Sequence, residues 1–224
     1  MATTKKTEIV EIRPLNIKKI NIRIVGDTPL IMHKWSEKAK KEMLDSQMGK
    51  SKGKKKAPKS PADDFIRSMY WLNNEPEYVE KASEEERMAA FEAAIDNGAR
   101  FGFPATAIKQ AAISAAFRMG WTKDKMSVRG AFFIDSDENG LVEIHSEPPV
   151  MREDAVKISL TSDLRYRGEF RNWYADITIS YNENGQYTLE NIINMINAGG
   201  YVCGIGEWRP ERDGQYGMFH VAVE

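Results

Sequence analysis

"FPATAIKQAAISAAFRMGW", residues 103–121, decides how this chain of 224 residues is read. Pro104 suits the first turn of a helix, where a missing N–H costs nothing. Ile108, Ala112, Ala115 or Ala116 and Met119 trace one face at helical spacing. The alanines on that face permit a very close approach by whatever packs there. A second helix is read at "TLENIINMINAGG" (188–200), with Leu189, Ile192, Ile193 and Ile196 inward and Gly199 as its stop.

Strands surround these two helices. In "IKKINIRIVG" (17–26), Ile20, Ile22 and Ile24 point one way and Asn21 and Arg23 the other, the alternation of a half-buried strand. "SVRGAFFID" (127–135) is read as a strand, "DENG" (137–140) as a tight turn, and "LVEIHS" (141–146) as its antiparallel partner. In "WYADITISY" (173–181), Trp173, Ala175, Ile177, Ile179 and Tyr181 share a face. Final strands are expected on either side of "VCGIGEWRPERDGQYGMF" (202–219). The order strand, helix, strand, strand, helix, strand is the split βαβ plan. The expected fold is therefore α+β, a ferredoxin-like or RRM-like core in which an antiparallel sheet packs on helices. Residues 36–100 and 147–172 are left over as thumb or lid insertions in a single domain spanning residues 1–224.

Within the first insertion, "SEKAKKEMLDSQM" (36–48) reads as a helix with Ser36 as N-cap. "SEEERMAAFEAAIDNGARFG" (83–102) opens with a capping box, Ser83 and Glu86, and its helix ends near Asn97 and Gly98. "ADDFIRSMYWLNNEPEY" (62–78) fits helix or strand. "GKSKGKKKAPKSP" (49–61) holds six lysines and no acid, so a solvated, flexible loop is expected. The polar residues 1–14 are expected to form a mobile tail.

Apolar residues make up 42% of the chain, enough for a sizeable core. Charged residues make up 29% but the net charge is -1, so attraction to nucleic acid must come from local basic patches. Cys203, the single cysteine, excludes an intramolecular disulfide or a cysteine-cluster zinc site and fits a reducing compartment. The first residues lack an apolar signal region, and no stretch is long and apolar enough to span a membrane, so a soluble cytoplasmic protein is expected. His33, His145 and His220 lack metal-ligand spacing. No phosphate loop, serine nucleophile elbow or HExxH motif is present. No cofactor, metal or catalytic residue is assigned, and a non-enzymatic role is expected.

Two stretches together resemble the RAMP superfamily. "FGFPATAIKQAAISAAFR" (101–118) looks like the segment in which a strand ends at proline, a small hydroxyl-bearing turn follows, and a lysine-containing helix begins. "GIGEWRPERDGQYGMF" (204–219) resembles that superfamily's glycine-rich C-terminal loop. The resemblance is to the backbone subunits of CRISPR effector complexes, which coat a guide RNA, and such proteins also occur alone in phage-like settings. It implies several copies packed side by side along one strand as a filament.

The residues support a nucleic-acid reading on their own. A helix start offers free N–H groups and a positive dipole end to a phosphate, from Phe103 to Lys109, with Thr106 adding a hydroxyl and Lys109 a charge. Gly204 and Gly206 would let a sugar-phosphate chain approach closely, trading sheet stability for access. Arg209 and Arg212 add charge and Trp208 a stacking face. In "LRYRGEFRNWY" (164–174), Arg165, Arg167 and Arg171 are interleaved with Tyr166 and Trp173. Arg129 and Lys34 join the set, and Lys54, Lys55 and Lys56 would close over the backbone as a thumb. The competing readings are structural: a plain hairpin at the glycines, salt bridges from the arginines to Asp163 and Glu169, and a merely solubilising lysine run. The expected partner is single-stranded DNA or RNA, bound with little sequence preference. One rival is an RNA endonuclease using Asp27 or His33; another is a protein-interaction module.

Overall fold

The computed structural model describes residues 14–35, 37–49, 59–158 and 161–222. The tail, the N-cap Ser36 and lysines 54–56 lie outside them. The chain runs β1 (Ile17–Gly26), β2 (Leu30–Met32), α1 (Glu37–Gln47), α2 (Pro61–Arg67), β3 (Tyr70–Trp71), α3 (Glu84–Asp96) and β4 (Phe101–Pro104). It continues through α4 (Ala105–Arg118), α5 (Lys125–Arg129), β5 (Phe132–Ile134), β6 (Leu141–Ile144), β7 (Val150–Ile158), β8 (Thr161–Phe170), β9 (Tyr174–Asn182), α6 (Leu189–Val202) and β10 (Phe219–Val221). The fold is α+β, and every strand pair among the described residues is antiparallel.

The main sheet has the order β10-β1-β9-β5. Its apolar face follows from alternation: Ile24, Ala175, Ile177, Ile179, Phe132 and Phe219 are buried in one cluster with Ile108, Ala112, Ile192 and Ile196 of α4 and α6. The helices meet at small residues. A Cβ on Gly199 would lie 2.7 Å from the Ala112 nitrogen, and one on Gly200 would lie 1.8 Å from the Phe219 carbonyl oxygen. Gly199 is therefore not the stop expected from sequence; α6 continues to Val202 because glycine is what fits the crossing. Met119, read as part of the buried face of α4, caps the helix and is exposed.

The expected hairpin over 127–146 does not form. Asp124 accepts hydrogen bonds from the Met126 and Ser127 amides, starting the short helix α5. The strand that follows is only Phe132–Ile134 and pairs with β9. Asp137 Oδ1 takes the amides of Asn139 and Leu141, closing the predicted turn. That turn sends β6 into a separate sheet, β3-β4-β6.

A third sheet, β2-β8-β7, contains the long pair β7–β8 from the second insertion. Residues 62–78 resolve into α2 and then β3, and the capping box at Ser83 is present. Edge-on aromatic contacts join these parts: Phe65 to Phe91 at 4.9 Å and Phe101 to Phe170 at 5.2 Å between ring centroids. The insertions thus share the core of the main sheet.

Candidate functional site

The glycine-rich stretch follows a helix rather than a strand, so it is not a hairpin. It folds as a tethered loop with one 3-10 turn at Pro210–Arg212. Ile205 donates to Gly217, Glu207 to Ile31, and Gly217 to Pro29 through their amides. Gly204, Gly206 and Gly217 have positive φ, and so do Trp208 (52°) and Asp213 (59°). A Cβ on Gly206 would sit 2.5 Å from the Ile31 carbonyl oxygen. Gly206 thus lets the loop pack on β2, while a Cβ on Gly204 or Gly217 would meet Pro210 or Ile205 of the loop itself, so these glycines serve the loop's own packing.

Access lies beside them. Gly204, Gly206 and Arg209 face Phe103, Pro104 and Ala107 across a cleft of about 220 Å³, closed by His33 and Tyr70. The two stretches that carry the sequence resemblance are thus neighbours in space. No side chain caps the first turn of α4, although the Ala105 amide donates to Gly140. Arg209 donates to the Gly206 carbonyl at 2.9 Å and pairs with Glu211 at 3.2 Å. Arg118 donates to the other oxygen of Glu211 at 3.1 Å. Two guanidiniums sharing one carboxylate leave this triad with one net positive charge.

The arginines of β8 face inward. Arg165 and Arg167 do share a face, but it is turned onto His33: Arg165 donates to Nε2 at 3.2 Å. Arg167 is 4% exposed and pairs with Asp154 at 3.1 Å and Glu207 at 3.4 Å. Arg152 bridges Asp154 and Glu169, each at 2.9 Å, and lies 4.5 Å from the Tyr216 ring centroid. Arg171 pairs with Glu169, and Arg165 with Asp163. A buried guanidinium without a carboxylate would be costly, so the chain supplies its own. The His33 imidazole, its Nδ1 3.7 Å from the carboxylate, with the charges of Arg167 and Arg209, holds the Glu207 carboxyl below its ordinary value. Arg167 through Glu207 and Arg152 through Tyr216 moor the β7–β8 hairpin to the loop, and Arg167 is buried, whereas Arg165 and Arg171 pair within β8 and its end and keep part of their side chains exposed.

Trp173, expected to stack on bases, is 1% exposed, and its indole N–H donates to the Thr28 carbonyl. Lys109 points away from the cleft, 3.9 Å from the Phe133 ring centroid, and burial lowers its pKa. Thr106 is exposed on the first turn of α4. Arg129 ends α5, beside the Met126 sulfur, rather than lying in a strand. Tyr166 lies beneath the Lys59 ammonium, 5.9 Å from its ring centroid. The Lys34 amide donates to Ser68. Trp208 and Arg212 are exposed on the loop. Asp27 lies 2.6 Å from His220 Nδ1, whereas His33 faces Arg165 and Glu207, so the two rival catalytic residues have different partners.

The open face of the main sheet compensates its own charge. Arg23 grips Asp176 with two hydrogen bonds and lies 4.4 Å from the Tyr174 ring centroid, and Lys19 pairs with Asp135. Among the described residues, no group of histidine, cysteine or acidic side chains is arranged to hold a metal ion. Nor is any helix there long and apolar enough to cross a membrane. Sequence reasoning missed Tyr70, Gln110, Glu207 and Glu211 in the cleft. The alternation of Glu and Arg in "EWRPER" was the available signal for local ion pairing. No family model matches the chain, and no curated protein matches it either.

Proposed function

We propose that the protein binds single-stranded nucleic acid, with little sequence preference and without catalysis, in the cleft between the glycine-rich loop and the start of α4. The observation that carries this reading is the juxtaposition itself: a helix start without a side-chain cap, the Arg118–Glu211–Arg209 triad with two guanidiniums on one carboxylate, and the exposed Trp208 ring. Helix dipole and free amides favour a phosphate, and an exposed indole favours an unstacked base. The β10-β1-β9-β5 order, with α4 and α6 on one face, supports a ferredoxin-like core. A RAMP-like ancestry agrees with it, and copies would line up side by side along one strand.

The test is fluorescence anisotropy with labelled oligothymidylate and oligouridylate at low salt. Binding to both is expected, and Arg209→Ala, which removes a charged donor, should weaken it about tenfold. Absence of binding by the unaltered protein sinks the proposal, as does full affinity in Arg209→Ala and Trp208→Ala together.

A further inference from the structure

We infer that the groove between the end of α4 and α6 is a second contact for the same polynucleotide, a seat in which unpaired bases stack. The inference rests on the single-strand reading above and extends it to a different surface. The groove encloses about 690 Å³, within the range of small-molecule sites. Trp121 and Met119 line one side and Tyr201 the other, and all three are exposed, Tyr201 by 72%. Two exposed aromatic rings across one groove offer π-faces to bases of any sequence. Asn194 and Asn197 of α6 add amides to the lining. Asn197 Oδ1 accepts from the Val221 amide, so its NH₂ is the group left to donate to a base edge.

Charge complementarity selects the occupant. The segment 117–130, which supplies Met119 and Trp121 to the groove, carries Arg118, Lys123, Lys125 and Arg129 against one acid, Asp124. Both oxygens of that carboxylate are already bonded to the amides that start α5. Glu190 in the first turn of α6 is the acid contributed from the facing helix. Cations flanking Trp121 in the chain, beside exposed rings, match a phosphate chain carrying bases better than they match an apolar protein surface. One bond lies between the groove and the cleft: Arg118, the neighbour of Met119, donates to Glu211, which lines the cleft with Arg209. A strand leaving the glycine-rich loop would cross this triad and enter the groove.

The experiment compares Trp121→Ala/Tyr201→Ala, Lys123→Ala/Lys125→Ala and Arg209→Ala with the unaltered protein. Each is titrated with a labelled oligothymidylate long enough to span both surfaces, after thermal denaturation has verified folding. Loss of the stacking pair should weaken binding about tenfold. Loss of the lysine pair should reduce the slope of log affinity against log salt by about 1. Photocrosslinking of an iodouracil oligonucleotide should label Trp121 or Tyr201. If Arg209→Ala weakens binding while both groove variants bind normally, the groove inference falls and the cleft reading stands. If only the groove variants weaken, the reverse holds. If the unaltered protein binds no oligonucleotide, both fall. If Trp121→Ala/Tyr201→Ala changes the light-scattering mass but not the affinity, the groove is a protein contact and the inference is overturned.

Discussion

Gly199 shows what a single missing methyl group does in this fold. It lies in the middle of a helical turn, where glycine is normally a weakness of about 1 kcal/mol relative to alanine. Here an added Cβ would press on the Ala111 and Ala112 backbone at 2.7–2.9 Å, so α4 and α6 would have to separate. Gly199→Ala should cost about 1–3 kcal/mol by overpacking, measured as a lower midpoint in urea. Gly130 is the control: its φ is -88° and nothing lies within 4 Å of an added Cβ. Gly130→Ala should be neutral or stabilising by up to about 1 kcal/mol. Equal losses in the two variants would defeat the argument. Sequence could not separate these two glycines, because a helix pattern ending in Gly-Gly reads as a stop whatever crosses it. Alternation groups Trp173, just ahead of β9, with the buried Ala175 and Ile177, yet it tells which residues point together and not which face is covered. For the same reason alternation pairs Arg165 with Arg167 without telling that Arg167 is covered and held by Asp154 and Glu207.

At the scale of elements, the β7–β8 hairpin is held to the glycine-rich loop by the Arg167–Glu207 ion pair and by Arg152 over the Tyr216 ring. Arg167, with its side chain 5% exposed, serves Asp154 and Glu207; Arg171, 57% exposed, serves Glu169 alone. Arg167→Met should destabilise by about 3 kcal/mol, since it leaves buried acid without one partner. Arg171→Met should cost less than about 1 kcal/mol. Similar unfolding midpoints for the two would contradict the mooring role. Acid should act on the same joint. The carboxyl of Glu207 is lowered by the neighbouring His33 imidazole and by Arg167 and Arg209, and that of Asp163 by Lys59 and Arg165. Burial pushes Glu169 up, but its bonds to Arg152 and Arg171 more than offset this and leave it lowered. Depressed carboxylates stabilise the fold above their unfolded values, and that share is lost as pH falls through the folded ones. Proteolysis within residues 150–170 should therefore accelerate from about pH 5 downward, ahead of global unfolding. A cleavage rate that tracks only the global transition would rule this out. The helices α3, α4 and α6 and the strands β1 and β9 were legible from periodicity and caps. The partner of β6 was not, because a tight turn at 137–140 fixes a reversal of the chain without fixing which sheet receives it.

For the whole molecule, a net charge of -1 sets a limit on how it can hold a polyanion. Long-range steering is weak, so affinity must come from cations gathered where the strand lies. Many cations near the cleft are internally matched, and the open face of the main sheet is matched as well. Left over among the described residues near the two surfaces are the triad surplus, Arg212, Lys123 and Lys125; Lys59 pairs with Asp163, and the lysines within residues 50–58 lie outside the described structure. Each phosphate neutralised on a single strand contributes about 0.7 to the slope of log affinity against log salt. Replacing Lys54, Lys55 and Lys56 by alanine should reduce that slope by about 2 if all three meet phosphates. Fold and thermal stability should be unchanged. If the slope is unaltered, the lysine run only solubilises, and the polynucleotide is held by the cleft and the helical groove without a thumb. If the slope falls by more than the three lysines allow, the run also recruits a neighbouring copy, because only a second set of contacts on the same strand adds charge that one chain lacks. Repeating the titration on an oligonucleotide too short for two copies separates these cases, since the excess must then disappear while the contribution of the lysines remains.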